Sequence, residues 1–221
     1  MIFGGRRPVV CLVTDRHRTA PQGATPAEQH RALLALIADA AAADVTLIYI
    51  RESDLPAHDL HALVLAAVAL TRGTNTRIVV GDRADVALSA GADGVHLAAG
   101  GAPVERIRAL GPAGWLVGRS AHSPAELALA SSADYVVFGT VFATDSKPGV
   151  EGQGITALAD ATRAVDIPVL AIGGVTLERA RVCLTAGAAG IAAISLFVAH
   201  APGGVGPRMV VEKLRQEFMT H

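Results

Sequence analysis

The residues in this chain best suited to chemistry sit at the ends of short apolar runs. Late in the sequence, Ala171-Ile172-Gly173-Gly174 leads through Val175-Thr176 into a helical pattern, and a second run ends Ala192-Ala193-Ile194-Ser195. Paired glycines let backbone N–H groups approach an anion closely, and a following helix N-terminus adds favourable partial charge. Gly173, Gly174, Ala193, Ile194 and Ser195 therefore read as a phosphate site, with a plain tight turn at Gly173-Gly174 as the alternative. His122, in Gly118-Arg119-Ser120-Ala121-His122-Ser123, is the acid/base candidate. A neutral imidazole can take up a proton and return it near pH 7. Ser123-Pro124-Ala125-Glu126 reads as a capping box that would hold His122 at a helix start. Position alone favours a solvated loop histidine over a catalytic one.

The other candidates carry open alternatives. His96, between Val95 and Leu97, is either a hydrogen-bonded structural residue or a functional one. Arg51 follows the apolar run Leu47-Ile48-Tyr49-Ile50, and a buried arginine needs an anionic partner. That partner is a substrate carboxylate or phosphate, or else Glu52 or Asp82. Lys147 lies in the long, glycine-rich and charged loop Val141–Gly154, where it either closes over a phosphate or is solvated. Asp82 and Asp85 hint at Mg²⁺, but the loop Ala98-Ala99-Gly100-Gly101 brings no second carboxylate, so no metal and no cofactor is expected.

These residues need a scaffold that places strand ends together. Strand candidates recur along the chain at Val9–Asp15, Thr46–Arg51, Arg77–Gly81, Gly94–Leu97, Trp115–Ser120, Tyr135–Gly139, Val169–Gly173 and Gly190–Ser195. Helical patterns lie between them, clearest over Pro26–Ala43 and Pro56–Arg72, then over Thr176–Ala186 and Pro207–Phe218. Eight strand–helix units in order predict a single (β/α)8 barrel spanning residues 1–221, with chemistry at the C-terminal ends of the strands. A weak internal repeat agrees with equivalent units: Ala87–Leu97 reads A-L-S-A-G-A-D-G-V-H-L and Cys183–Ala193 reads C-L-T-A-G-A-A-G-I-A-A. Each is a helix end, a glycine cap, a turn and the next strand.

Composition supports that architecture. The 221 residues are 51% hydrophobic but only 4% aromatic, so the core must be Val, Ile, Leu and Ala, the mix of a parallel sheet covered on both faces. A net charge of −1 gives no basic surface for nucleic acid or anionic lipid. Cys11 and Cys183 sit in apolar runs and read as buried small hydrophobes. No run is apolar and long enough to span a bilayer and no signal peptide is seen, so a cytoplasmic protein without membrane partners is expected. The expected assembly is a homo-oligomer, dimer or tetramer.

From Leu12-Val13-Thr14-Asp15 to Ser195 the chain resembles the thiamine phosphate synthase superfamily. The resemblance rests on Ile50-Arg51-Glu52, Asp82-Arg83-Ala84-Asp85, Gly91-Ala92-Asp93-Gly94-Val95-His96-Leu97, Ala133-Asp134-Tyr135, Thr144 with Lys147, and Ala171-Ile172-Gly173-Gly174. The departures are informative. Where the synthases have an Arg-Glu-Lys triplet for the pyrophosphate of their pyrimidine substrate, this chain has Ser53 in place of the Lys. Gly81 replaces the Asn of an Asn-Asp pair, and Ala98-Ala99-Gly100-Gly101 replaces a Gly-Gln-Glu-Asp loop whose Asp binds Mg²⁺. The strand five to eight side, by contrast, is similar to the thiazole tautomerase branch, in Gly118–Ser123, Phe138–Lys147 and Gly149–Gly154.

That branch implies an isomerisation without metal or cofactor: a phosphorylated carboxythiazole with an exocyclic double bond is aromatised. A proton leaves the ring carbon that bears the carboxylate, and one arrives at the exocyclic carbon. The resemblance places the acid/base role on His122 and substrate binding on Arg51, Ser120, Thr144, Lys147, Gly173, Gly174, Ala193, Ile194 and Ser195, with Arg51 toward the carboxylate. His96 and Lys147 are candidates for a second proton carrier. Two other readings stand beside it: an active thiamine phosphate synthase, and a non-catalytic barrel that binds thiamine intermediates.

Overall fold

The Val-, Ile- and Leu-rich runs all become parallel strands in the computed structural model, which describes residues 8–144, 149 and 151–219. They are β1 (Val9–Val13), β2 (Leu47–Ile50), β3 (Arg77–Gly81), β4 (Gly94–Leu97), β5 (Leu116–Ala121), β6 (Tyr135–Gly139), β7 (Val169–Ile172) and β8 (Gly190–Ala193). Each pairs with its successor, and β8 pairs with β1 through Leu12↔Ala193, closing the expected (β/α)8 barrel. Strands buried on both faces need no polar alternation, which is why these runs read as continuous apolar segments.

The helices are α1 (Arg16–Thr19), α2 (Pro26–Ala42), α3 (Ala57–Thr71), α4 (Ala84–Ser89), α5 (Val104–Arg108), α6 (Pro124–Ala128), α7 (Gly154–Ala164), α8 (Leu177–Thr185) and α9 (Pro207–Met219). The start of α2 follows its sequence signal. Thr25 Oγ accepts from Glu28 N at 3.3 Å, and the Glu28 carboxylate accepts from Thr25 N at 2.7 Å. Pro56, expected inside α3, is its N-cap instead. Several strands stop one or two residues short of expectation because the chain turns toward the cavity there. Ser195 in particular opens a 3-10 turn, Ser195–Phe197, rather than ending β8.

Two apolar layers hold the barrel. Inside it, Val9, Cys11, Val13, Leu47, Tyr49, Val79, Leu116, Tyr135, Val137, Leu170 and Ala192 pack together. Between sheet and helices lie Leu12, Ile48, Ile50, Ile78 and Val80 against Leu33, Ile37 and Leu63, all at most 0% exposed. Full burial of each such side chain stabilises by about 1.5–3 kcal/mol. Tyr135 reaches across the interior because its neighbour in register is Gly118; a Cβ at 118 would lie 2.1 Å from the Tyr135 ring. At the opposite end of β5, the single tryptophan, Trp115, is buried over Gly111 and donates from Nε1 to Ala92 O at 3.0 Å. Both cysteines are buried and free. Among the described residues no helix is long and apolar enough to cross a membrane.

Candidate active site

A cavity of about 580 Å³ opens at the C-terminal ends of the strands. Its walls bring together residues that the sequence separates widely. Ser120 lies in β5 and His122 just after it; Thr144 lies in the loop after β6; Gly173 and Gly174 follow β7; Ala193 ends β8 and Ile194 and Ser195 follow it; Arg51 follows β2. Lys147, expected over the same cavity, lies outside the described residues, as does part of the loop that carries it.

The glycine turn is built by close approach. Gly173 and Gly174 both take positive φ, +101° and +59°. The loop after β6 lies on them so tightly that a Cβ at 173 would stand 2.5 Å from Thr140 Cγ2, and one at 174 would stand 2.4 Å from Ala143 O. Phe142 N donates to Gly173 O at 3.0 Å. Arg179, from α8, donates to Gly174 O at 2.8 Å and stacks over the Phe142 ring at 4.7 Å, tying that loop to the helix. Among the described residues no protein acceptor takes the N–H of Gly173, Gly174, Ile194 or Ser195. Four backbone donors thus line the cavity beside the start of α8, the chemistry of an anion cradle.

His122 stands at the rim with its ring committed on one side: Nδ1 bonds the Gly139 carbonyl. A carbonyl can only accept, so the neutral ring carries its proton on Nδ1 and its lone pair on Nε2. The capping box expected at Ser123 is only half formed. Ser123 Oγ accepts from Glu126 N at 3.3 Å, but the Glu126 carboxylate accepts from His122 N at 2.5 Å rather than from the cap residue's own N–H. The main chain at His122 is therefore held from α6 and its ring from β6.

His96 resolves to a buried, doubly bonded residue. Its Nδ1 lies 3.0 Å from the Tyr135 hydroxyl and its Nε2 lies 2.9 Å from Ser120 Oγ. Burial pushes its pKa down to about 3, so the ring is neutral at physiological pH. Arg51 pairs with neither carboxylate proposed for it from sequence. Glu52 is buried and bonds Arg16 instead, through Arg16 N at 3.1 Å and the guanidinium at 3.0 Å; its burial raises its pKa above the ordinary carboxylate value, against the pull of those contacts. Arg16 also holds Asp54, whose carboxyl it keeps well below the usual range. Asp82 Oδ1 accepts from Ala98 N at 2.8 Å. Arg51 itself is exposed rather than buried, lines the cavity, and makes no ion pair with an anionic side chain among the described residues.

Sequence reasoning gave Arg119 no role, although it shapes this end of the site. It is 3% exposed and donates to the carbonyls of Ala99, Gly101 and Ala102 at 2.6, 3.3 and 3.0 Å, which pins the loop after β4. Its Nε is buried without a partner. The pinned loop sets Gly101 so that a Cβ there would lie 3.3 Å from Asp82 Oδ1. A side chain at 101 would share a ligand position with Asp82, and glycine brings none. Asp82 is thus the single carboxylate at that point and is already engaged by a backbone N–H, so the donor set does not fit a divalent cation.

The thiamine monophosphate synthase family, TMP-TENI, matches residues 10–197. The chain belongs to this family. It is 41% identical over 191 residues to the "Putative thiamine-phosphate synthase" of Geobacter sulfurreducens, covering 85% of each chain. It is 42% identical over 168 residues to the "Thiamine-phosphate synthase" of Methanoculleus marisnigri, covering 75% of this chain and 79% of that one. Among solved structures, the thiamine phosphate pyrophosphorylase of Pyrococcus furiosus superposes with a TM-score of 0.78 at 30% identity, over 96% of both chains. Within the family match fall the glycine turn, His122, Arg51 and the substituted positions Ser53, Gly81 and Gly101.

Proposed function

We propose that this member of the thiamine monophosphate synthase family aromatises a phosphorylated carboxythiazole by proton transfer at His122. One observation carries the reading: the Gly139 carbonyl fixes His122 Nδ1–H, which leaves Nε2 as a free base on the same cavity as four unpaired backbone N–H groups. The phosphate would rest on the N–H groups of Gly173, Gly174, Ile194 and Ser195. Arg51, with no protein anion to hold it, would take the ring carboxylate. Nε2 then removes the proton from the carbon that bears the carboxylate, and the electron pair moves through the ring. The imidazolium, supported by its bond to the Gly139 carbonyl, returns a proton to the exocyclic carbon.

The direct test follows ring absorbance with the unaromatised thiazole phosphate as substrate. His122→Ala should lower turnover by about 10²–10⁴-fold, the range of general acid–base catalysis, while product phosphate still binds. Turnover near that of the wild type would sink the assignment.

The names of the relatives favour a second reading, condensation of a pyrimidine pyrophosphate with thiazole phosphate. Ser53, Gly81 and Gly101 argue against it, because the residues expected to hold pyrophosphate and metal are not there. Incubation with both substrates and Mg²⁺ decides between the two; pyrophosphate release at a useful rate would establish the second.

A further inference from the structure

The cavity contains a hydroxyl that the proposed reaction does not yet use. Tyr49 lines the cavity and is only 7% exposed, yet no protein group bonds its hydroxyl among the described residues. Among those residues Arg119 Nε is the only buried side-chain polar atom without a partner, so the Tyr49 oxygen is not sealed in the core. The space open to it is the cavity. Tyr135, by contrast, is 0% exposed and engages His96 Nδ1 at 3.0 Å. Buried polar groups are bonded as a rule, and a nearly buried hydroxyl left unbonded on a cavity wall awaits a ligand.

The phenol is held rigidly. Its ring packs over the His96 imidazole with centroids 4.4 Å apart. His96 is itself fixed by Tyr135 and Ser120 at 3.0 and 2.9 Å. The ring also lies against Gly81, at the end of β3, where a Cβ would stand 3.1 Å from Tyr49 Cε2 and 3.2 Å from Oη. Glycine at 81 leaves the phenol its place. Burial pushes the phenol well above its usual range, so it stays a neutral donor at any working pH. A donor held this way loses little freedom when a ligand binds.

What it meets follows from its strand. Tyr49 and Arg51 are two residues apart at the end of β2, the spacing that puts side chains on one face about 6.5 Å apart. Both line the cavity, whereas Ile50 between them packs into the layer between sheet and helices. Among the described residues two arginines line the cavity. Arg83 holds Asp85 through bonds of 2.9 and 2.6 Å, and Arg51 makes no ion pair. The four N–H groups after β7 and β8 serve one anion; a second anion on the same ligand is met by Arg51. We infer that the Tyr49 hydroxyl donates a hydrogen bond to the ring carboxylate of the substrate, beside Arg51. The inference rests on the proposed substrate, a thiazole that carries both a phosphate and a carboxylate. A carboxylate has two acceptor oxygens and takes both donors at once.

The test measures Kd by calorimetry for two ligands on wild type and Tyr49→Phe: the aromatised carboxythiazole phosphate, and the same thiazole phosphate without the carboxylate. Phenylalanine keeps the ring on His96 and removes one oxygen that bonds no described protein group, so the fold is kept. Tyr49→Phe should weaken the carboxylated ligand by roughly 10–150-fold, the range for a hydrogen bond to a charged group, and leave the other within about twofold. Equal weakening of both ligands, or a selective loss smaller than about tenfold, would overturn the inference. Turnover of the unaromatised thiazole phosphate by His122→Ala is measured alongside. If that variant turns over normally, the acid/base reading falls, and a selective loss in Tyr49→Phe still establishes the carboxylate contact. If it is inactive while Tyr49→Phe binds both ligands as the wild type does, only this inference falls.

Discussion

Gly174→Ala separates the two demands that the anion cradle makes on its backbone. The first is conformational. A φ of +59° costs an L-residue roughly 1–2 kcal/mol relative to glycine. The second is steric, since the new Cβ would stand 2.4 Å from Ala143 O and 2.9 Å from Phe142 Cβ. Forcing an extra carbon into packed surroundings adds about 1–3 kcal/mol. Together these predict a loss of about 2–5 kcal/mol, and at about 2–4 °C per kcal/mol for a chain of this size, Tm should fall by roughly 4–20 °C. Gly23→Ala is the matched control: φ is +84° but nothing lies within 4 Å, so only the conformational part applies. The functional part is read from ligand-induced stabilisation in thermal melts, with thiazole phosphate titrated into each protein. A displaced N–H that no longer reaches a phosphate oxygen forfeits about 1.5–3 kcal/mol, or roughly 10–150-fold in Kd. Gly23→Ala should keep the wild-type shift. If Gly174→Ala also keeps it, the cradle does not bind through this turn and the reasoning fails.

Three further outcomes are expected. Because burial lowers the pKa of His96 from 6.5 to about 3, its contribution to stability is fully present above pH 6.5 and is lost as pH falls from there toward 3, at about 1.4 kcal/mol per pH unit. Denaturant titrations of wild type and His96→Gln should differ by that slope; parallel curves would refute it. Arg119→Met should leave the carbonyls of Ala99, Gly101 and Ala102 without their donor, and amide exchange across residues 98–103 should rise at least several-fold; unchanged exchange would show that the guanidinium does not hold the loop. Gly101→Asp places a second carboxylate beside Asp82 and should confer measurable Mn²⁺ affinity by calorimetry; no heat above that of wild type would contradict the geometry at that point.

Much of this architecture is visible in the residues because its signals are local. Most strands are short apolar runs of four or five residues, and α2 is announced by Thr25, Pro26 and Glu28 within one turn. The helices α4, α5 and α6 have only six, five and five residues, too few to show a 3.6-residue period. The site is legible where it follows strand ends, as at Arg51, His122 and Gly173. It is not legible where partners lie far apart in sequence. Nothing near Glu52 points to Arg16, 36 residues earlier, and nothing near His96 points to Tyr135, 39 residues later. Arg119 stays unread for the same reason: its acceptors are carbonyls of the β4 loop, 17 to 20 residues before it.

The placement of the aromatic residues also gives the molecule two separate optical probes. Both of its tyrosines, Tyr49 and Tyr135, flank His96 inside the barrel, while its single tryptophan is buried at the far end of β5. Indole emission therefore follows closure of the barrel base, and phenol absorbance follows the polarity of its centre. A ligand entering at the mouth should perturb the second and leave the first still, so binding and unfolding can be told apart in a single unlabelled sample.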